Sequence, residues 1–183
     1  MTTPLSIALR RYQTDDVQPL YEAASESIAD IYPWMPWCHP GYTVEDSRSW
    51  VMSCLDTWGQ PNYEVVIIER VTGRFLGAIG LNQINRVHDF ANLGYWVRSS
   101  AAGHGIAVVA TRLCAQFGFE ELKLQRLEIV VDVDNRRSQR VAEKAGAKRE
   151  GIARHRCKIG DTWRDAIMFS LLQADLGLAP TLV

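Results

Sequence analysis

The stretch VRSSAAGHGIAVVATRL, Val97 to Leu113, passes from a strand pattern to a helix pattern within a few residues. The apolar run FANLGYWV ends at Val97, and small residues follow it, with a glycine on each side of His104. Beyond Gly105 the apolar residues recur at helical spacing: Ile106, Val109, Ala110, Leu113, Cys114 and Phe117. Because the N-terminus of a helix presents free N–H groups and a positive partial charge, this arrangement predicts an anion-binding site.

Two common phosphate-binding motifs are excluded by the residues of this loop. A Walker loop ends in Gly-Lys-Ser/Thr, whereas Ile106 follows Gly105 here. A dinucleotide fingerprint needs a third glycine where Val108 stands, and a ribose-binding acid after a parallel strand. Taken alone, the loop leaves a second interpretation open, in which the glycines only serve ordinary turn geometry.

The N-terminal half predicts a strand, two helices and three strands. SIALRRYQ predicts the first strand, and the helix after it carries Leu20 and Ile28 on one stripe. Thr43 and Asp46 have the spacing of a capping box at the start of the second helix. YEVVIIERVTGRFLGAIGL predicts a hairpin, and FANLGYWV predicts a strand in which Gly94 indicates a bulge or a close backbone approach.

The C-terminal half predicts a helix, a strand, a second helix and two final strands. LEIVVDV reads as a buried strand, and the helix RSQRVAEKAGA is ended by Gly146. The last two strands meet at Gly160 and Asp161, a strong hairpin signal. With no linker in the chain, this order predicts an α/β (α+β) fold with a mixed sheet, in one domain spanning residues 1–183.

Charge and cysteine content exclude several classes of protein. The 183 residues hold 20 Lys and Arg against 21 Asp and Glu, so no global field favours nucleic acid or a membrane surface as partner. No apolar run is long enough to cross a bilayer, and the N-terminus lacks the pattern of a signal peptide. The four cysteines lie far apart, which predicts no metal site and a cytoplasmic location: Cys38, Cys54, Cys114 and Cys157.

Three segments in a fixed order carry a resemblance to a known family. LGYWVRSSAAGHGIA, DVDNRRSQRVAEKAGAKREG and GDTWRDAIMFSL together resemble the GNAT superfamily of N-acetyltransferases, and more narrowly its ribosomal-protein N-terminal (alanine/serine) acetyltransferase branch. The resemblance covers nearly the whole chain. It implies a twisted, mostly antiparallel seven-stranded sheet that is splayed near its centre and flanked by about four helices. It also implies acetyl-CoA as the acetyl donor and a primary amine, such as a protein N-terminus, as the acceptor.

The resemblance also implies which residues bind acetyl-CoA. Backbone groups of the central strand would meet the pantetheine: Tyr95, Trp96, Val97 and Arg98. The glycine loop would hold the pyrophosphate: Gly103, His104, Gly105, Ile106 and Ala107. Asn135 and Ser138 would approach the pantetheine and its sulfur, while Ser100 stands where the family prefers Gln or Arg. A basic cluster offers contacts to the 3′-phosphate or to an acidic acceptor: Arg136, Arg137, Arg140, Lys144, Lys148, Arg149, Arg154, Arg156 and Lys158.

Acetyl transfer to an amine requires an oxyanion donor, a proton donor for the thiolate and a base for the amine. A backbone N–H between Tyr95 and Val97 is expected to serve the oxyanion. Many relatives protonate the thiolate with a tyrosine that follows the Asn135 position, and no tyrosine follows Tyr95 here. Ser138 is therefore the predicted donor to sulfur, with a helix-capping hydroxyl as its alternative interpretation.

The general base is less clearly marked. Relatives often carry a glutamate where Asn92 stands, and an amide cannot accept a proton at neutral pH. Four candidates are open: Glu64, His88, Asp89 and His155. His155 is selected as the catalytic base because its strand is expected to border the acceptor site and its pKa suits the task. A surface histidine and a proton-carrying chain of water are the alternatives.

The loop IYPWMPWCHP lies where the family builds its acceptor wall. Trp34 and Trp37 are predicted to bind substrate, because prolines stiffen the loop and indoles bury apolar area against a bound chain. The alternative is that both tryptophans belong to the core. Two other functions are kept open: a non-catalytic acyl-CoA-binding module, and an acetyltransferase acting on a small amine or an antibiotic. A homodimer is a further expectation from the resemblance.

Overall fold

The computed structural model describes residues 6–59 and 61–178. The first five residues, part of the segment on which the absence of a signal peptide was predicted, lie outside the described residues. None of the helices in these two ranges combines the length and the apolar character that a membrane-spanning helix needs.

Seven strands form one sheet in the order β1-β2-β3-β4-β5-β7-β6. The strands are β1 (Ile7–Arg11), β2 (Tyr63–Glu69), β3 (Phe75–Asn85), β4 (Phe90–Val97), β5 (Arg126–Asp132), β6 (Lys148–Ile159) and β7 (Thr162–Leu171). The helices are α1 (Val17–Ser25), α2 (Ile28–Ile31), α3 (Val44–Asp56), α4 (Ile106–Glu120) and α5 (Arg136–Ala145). Neighbouring strands are antiparallel except for β4 and β5, which are parallel. This mixed sheet confirms the predicted fold class.

The helices cover the sheet on both faces, because side chains alternate along each strand. One face packs against α4 and forms the larger core, including Ile79, Leu93, Ile129, Phe119 and Phe169. The other face packs against α1 and α3 over the first part of the sheet, including Leu20, Val51, Val66 and Ala78. The predicted stripe of α4 is buried at Ile106, Ala110 and Cys114, whereas Val109 lies at its edge and is 46% exposed.

The centre of the sheet opens between β4 and β5. The two strands pair only over Phe90–Asn92 and Arg126–Glu128, while β5 continues its pairing with β7 to Asp132. The amide of Arg98 donates to the carbonyl of Leu76 at 2.8 Å. Since backbone groups alternate in direction along a strand, Tyr95 and Val97 turn their N–H and C=O groups away from β3 and into this gap. The splayed sheet that the resemblance implies is confirmed.

The sequence placed the elements in the right order, with two local errors. The first helix ends at Ser25, and Ile28 belongs to the separate one-turn helix α2, so the flanking helices number five. Gly94 pairs in regular register with Gly80, and no bulge occurs there; the predicted bulge is wrong. The capping box of α3 is confirmed, because Asp46 accepts from the Thr43 amide and the Asp46 amide donates to Thr43 Oγ1. All four cysteines are free thiols.

Candidate active site

A cavity of about 330 Å³ lies between the end of β4 and the first turns of α4 and α5. We call it the glycine-loop cavity. Nine of the predicted cofactor-binding residues line it: Tyr95, Trp96, Val97, Gly103, Gly105, Ile106, Ala107, Asn135 and Ser138. The structure therefore brings together residues from three separate sequence segments, as the family resemblance implies.

The two glycines of the loop are required by backbone conformation. Gly103 and Gly105 have φ values of 82° and 77°, in the left-handed region that other residues rarely adopt. A Cβ atom added at either position would meet no atom within 4 Å, so crowding by the protein does not explain the glycines. Gly105 is the N-cap of α4, and the loop opens the helix N-terminus toward the cavity. Such a terminus suits an anionic group.

Asn135 and Ser138 occupy the first turn of α5. The Asn135 side chain accepts a hydrogen bond from the Ser138 amide at 3.1 Å, so Asn135, and not Ser138, caps the helix. The Ser138 hydroxyl instead lies 3.0 Å from the hydroxyl of Tyr95. The Tyr95 hydroxyl also donates to the Ser138 carbonyl at 3.0 Å. The sequence predicted backbone contacts for Tyr95 and missed this role of its side chain.

The Tyr95 hydroxyl has one proton and two acceptors within reach. Burial raises the pKa of Tyr95 to about 12, so the hydroxyl keeps its proton at neutral pH. When that proton points to the Ser138 carbonyl, Ser138 can donate to Tyr95; when it points to Ser138 Oγ, the serine proton is free for another acceptor. The pair can therefore release a hydroxyl proton toward the cavity without losing every hydrogen bond.

Three members of the predicted basic cluster line the glycine-loop cavity. Arg137 forms an ion pair with Asp30 at 2.6 Å. Arg140 and Lys144 are exposed, and neither forms an ion pair within residues 6–59 and 61–178. These two side chains are available to an anionic ligand.

Arg98 and His104 do not line this cavity. The Arg98 guanidinium forms an ion pair with Glu26, which lowers the pKa of that carboxyl to about 2. The Arg98 amide donates a hydrogen bond to the carbonyl of Leu76. Ser100 also donates to Glu26, at 2.7 Å. The residues before the glycine loop thus anchor it to the end of α1. The His104 ring lies 3.4 Å from the Ala101 carbonyl.

A second cavity, of about 600 Å³, lies on the α1 and α3 face of the sheet. We call it the aromatic cavity. Its lining combines aromatic rings with two acids, Asp46 and Glu64, and contains neither Lys nor Arg: Leu20, Met35, Trp37, His39, Tyr42, Asp46, Ser49, Trp50, Ser53, Glu64, Ala78, Ile79, Asn82, Gly94, Tyr95 and Trp96. The Trp37 ring packs edge-on against Trp96, with 5.4 Å between centroids. This lining suits a cation with apolar surroundings.

The two predicted substrate-binding tryptophans are divided between the cavities. Trp37 lines the aromatic cavity and is 40% exposed. Trp34 lines the glycine-loop cavity instead. The sequence could not separate them, because both lie in one short loop.

A row of polar side chains crosses the centre of the sheet on the aromatic side. Asn92 of β4 donates from Nδ2 to Asn82 Oδ1 at 2.9 Å, and Asn82 of β3 donates to Glu64 Oε1 at 3.4 Å. Glu64 of β2 lies directly over Gly80, where an added Cβ would come within 2.0 Å of Oε2. Burial raises the pKa of Glu64. We call these three side chains the polar row.

His155 is not brought next to Ser138. It lies on a bulged part of β6 with a φ of 50°, it is exposed, and its amide donates to Asp165 at 2.9 Å. His155 lines neither cavity, and the same holds for His88 and Asp89. Its role as base stays a prediction from sequence. Among the described residues, no three His, Cys, Asp or Glu side chains are placed to hold a metal ion.

The two cavities share Met35, Tyr95 and Trp96 in their linings. Strand β4 is therefore the partition at which ligands from the two sides would meet. The left-handed glycines, the open strand edge and the free basic side chains fit an extended anionic donor such as acetyl-CoA. The acidic and aromatic lining on the other side fits a positively charged amine.

Comparison with known proteins agrees with this geometry. The family model for the acetyltransferase (GNAT) domain matches residues 6–148. "Probable N-acetyltransferase YjcK" of Bacillus subtilis is 36% identical over 136 residues, 73% of this chain and 75% of that protein. The ribosomal-protein-serine acetyltransferase of Escherichia coli is 24% identical over 165 residues, 90% of this chain and 92% of that protein.

A solved structure supports the same fold. The microcin C7 self-immunity acetyltransferase MccE, in complex with acetyl-CoA and AMP, superposes with a TM-score of 0.82 at 21% identity, covering 91% of this chain and 92% of that one. The family match and the shared fold agree with the donor site described above. The chain belongs to the GNAT acetyltransferase family and is an acetyl-CoA-dependent N-acetyltransferase.

Proposed function

We propose that this enzyme acetylates the α-amine of a protein N-terminus, with acetyl-CoA in the glycine-loop cavity and the acceptor in the aromatic cavity. One observation carries the proposal. Two cavities of opposite character, one with free cations and one with acids and aromatic rings, share the wall formed by Tyr95 and Trp96. A thioester and an ammonium group entering from opposite sides would meet at this wall.

On the donor side, backbone groups of Tyr95 and Val97 would bind the pantetheine, because they face the gap between β4 and β5. The N-terminus of α4, opened by Gly103 and Gly105, would hold the pyrophosphate. Arg140 and Lys144 would meet the remaining phosphate. These contacts come from backbone groups and flexible cations, which suits a donor that is used by enzymes with many different acceptors.

On the acceptor side, the aromatic cavity offers more room than an amine alone requires. Its volume lies in the range of roughly 300–1,000 Å³ typical of sites for small organic ligands, so side chains next to the amine can be bound as well. Trp37 and Trp50 are partly exposed and give a bound chain apolar contact. The similarity to a ribosomal-protein-serine acetyltransferase supports a protein N-terminus as this acceptor.

For the transfer itself, a backbone N–H of Tyr95 or Val97 would stabilise the oxyanion that forms on the thioester carbonyl. Ser138 Oγ would donate its proton to the departing thiolate, while the Tyr95 hydroxyl turns to donate to Ser138 Oγ. The C–N bond forms first, and the C–S bond breaks when the tetrahedral intermediate collapses. The products are the acetylated amine, coenzyme A as the thiol, and one proton.

The test is thiol release from acetyl-CoA by the purified protein with a panel of acceptors. The panel contains peptides with free Ser, Ala or Met N-termini, the same peptides with a blocked α-amine, spermidine and an aminoglycoside. We expect release with the free peptides and none with the blocked ones, and mass spectrometry should place the acetyl group on the α-amine.

Release with spermidine or the aminoglycoside alone would overturn the protein acceptor and indicate a small-amine enzyme. Acetyl-CoA binding by calorimetry without release for any acceptor would instead indicate an acyl-CoA-binding module. Ser138→Ala is the matched variant for the donor side, and it should lower turnover about tenfold or more while the affinity for acetyl-CoA is kept.

A further inference from the structure

We propose that Glu64 is the general base of this enzyme, and that Asn82 and Asn92 orient its carboxylate. The proposal rests on the proposed function, because it takes the aromatic cavity as the acceptor site. It assigns the proton-accepting role to β2, a strand that the sequence motifs of the donor site do not include.

The position of the Glu64 carboxylate supports this assignment. Glu64 pairs with Gly80 in the β2–β3 ladder, and its carboxylate folds over that glycine because no Cβ occupies the space. The carboxylate thereby reaches the lining of the aromatic cavity, beside Gly94 and Tyr95 of β4. A base at this place faces the wall where the amine and the thioester would meet.

Hydrogen bonds from the polar row orient the Glu64 carboxylate. Asn82 donates to Glu64 Oε1, and Asn92 donates in turn to Asn82, so the polar row fixes the direction of the carboxylate. Glu64 Oε2 accepts no hydrogen bond from any residue in the described ranges 6–59 and 61–178. One oxygen is thus held in place and the other is left for the ammonium group.

The titratable groups around Glu64 also favour a role as base. The titratable groups near Glu64 are Tyr12 beyond β1, Cys54 of α3 and Cys114 of α4, together with His39 and Asp46 in the same cavity. Burial raises the pKa of Tyr12, Cys54 and Cys114, so these groups are neutral at pH 7. The lining contains neither Lys nor Arg, and burial raises the pKa of Glu64, which makes its carboxylate a stronger base.

The other acid of the cavity is unsuited to this role. Asp46 accepts from the amide and the hydroxyl of Thr43 at the start of α3, which lowers the pKa of its carboxyl. Both bonds go to Asp46 Oδ2, and the lowered pKa makes this carboxylate a weaker base than Glu64. His39 likewise accepts from the Gly41 amide at 3.1 Å.

Proton transfer to Glu64 accounts for the single proton that the reaction releases. The Glu64 carboxylate takes one proton from the acceptor R–NH₃⁺, and the free electron pair of R–NH₂ forms the C–N bond at the thioester carbonyl. The tetrahedral intermediate expels the thiolate, and the second nitrogen proton compensates for the one that Ser138 gives to sulfur. Glu64 later loses its proton to solvent, which accounts for the single proton released.

The experiment compares Glu64→Gln with Glu69→Gln, a control on the same strand outside both cavities. With the best peptide acceptor, we expect Glu64→Gln to lower kcat by about 10²- to 10⁴-fold, with the affinity for acetyl-CoA unchanged by calorimetry. The rising limb of its pH profile should move to alkaline pH, because deprotonation then depends on solvent. Glu69→Gln should match the wild type in both respects.

Unchanged kcat in Glu64→Gln, or an unchanged rising limb, would overturn the proposal. A rise in KM alone, with kcat kept, would do the same, since Glu64 would then only bind the ammonium. A second variant, Asn82→Ala, should keep the cofactor affinity and lower kcat less than Glu64→Gln does. Failure of the wild type with every amine acceptor would overturn the proposed function and is thus distinguished from failure of the Glu64 assignment.

Discussion

The two cavities on either side of β4 are built in different ways. The glycine-loop cavity depends on three backbone features: two left-handed glycines, a helix N-terminus and the open edge of a strand. The aromatic cavity is lined by side chains that come from a loop, two helices and three strands. A site made of backbone depends on a local motif and tolerates changes of side chain, whereas a site made of side chains can be altered residue by residue. The constant donor and the variable acceptor of an acetyltransferase match this division.

The largest effect on the affinity for a ligand is expected at the backbone-built side. Gly105→Val forces a branched side chain onto a left-handed backbone and displaces the start of α4, so acetyl-CoA affinity should fall by roughly 10- to 100-fold for a strain of about 1–3 kcal/mol. Calorimetry with acetyl-CoA measures it. Gly73→Val is the matched control, since Gly73 has a similar φ of 73° and equally open surroundings but lies outside both cavities. Equal losses of affinity in both variants would contradict the assigned site.

Trp34 and Trp37, which lie in one loop, test whether the two cavities bind different ligands. Trp37→Ala should raise the KM of the peptide acceptor about tenfold, as the loss of a buried aromatic contact costs more than about 1 kcal/mol, and leave acetyl-CoA affinity unchanged. Trp34→Ala should show the reverse pattern, because Trp34 lines the donor side. Steady-state kinetics with calorimetry separates the two. If both variants affected the same ligand, the division of the loop between two cavities would be refuted.

The Tyr95 hydroxyl links the two sides, and its removal should have a smaller effect. Tyr95→Phe deletes both hydrogen-bond contacts of this hydroxyl to Ser138, so kcat should fall roughly 3- to 10-fold, with little change in either ligand's affinity. The double variant with Ser138→Ala should be no slower than Ser138→Ala alone, because the tyrosine acts through the serine. Additive losses in the double variant would show that Tyr95 acts independently.

The smallest effect concerns stability at the side-chain-built site. The pKa of Glu64 is raised in the folded protein, so the folded state binds more protons than the unfolded state between the two pKa values, and stability falls as pH rises through that window. Glu64→Gln should therefore raise the Tm at pH 8 by a few degrees and leave it nearly unchanged at about pH 3, below the ordinary pKa of glutamate, where both side chains are neutral. Thermal unfolding at the two pH values gives the comparison. A lower Tm at pH 8 would mean that the charge stabilises the fold.

Most of the residues that the sequence predicted for the donor line the glycine-loop cavity, because its parts are contiguous in the sequence. The glycines, the α4 stripe and the Asn135 cap each lie within a segment of a few residues, and their order matches a known family. Local periodicity and turn residues predicted the order of the elements along the chain. The splayed sheet was implied by the family resemblance.

The acceptor side was predicted only in fragments, for a physical reason. Glu64, Asn82 and Asn92 meet through strand register, and register is set by long-range pairing that no local pattern records. Glu64 was one of four open candidates for the base, and His155 was preferred because its strand was expected to border the acceptor site and because histidine ordinarily suits the task. The sequence did not predict the role of the Tyr95 hydroxyl. Side chains alternate between the two faces of β4, and this alternation directs Tyr95 toward Ser138 of α5, which is distant in the sequence.

The brief contact between β4 and β5 leaves part of the β4 edge free, and a donor bound there, as proposed, would link folding to the supply of the donor. Three residue pairs are the only sheet pairing that joins β1–β4 to β5–β7 in the described residues. A ligand that lies along the free edge of β4 acts as a further strand and binds only the folded chain. At a ligand concentration 100 times Kd, such binding adds about 2.7 kcal/mol to the free energy of unfolding. The resistance of this enzyme to heat and proteolysis should thus follow the concentration of acetyl-CoA around it.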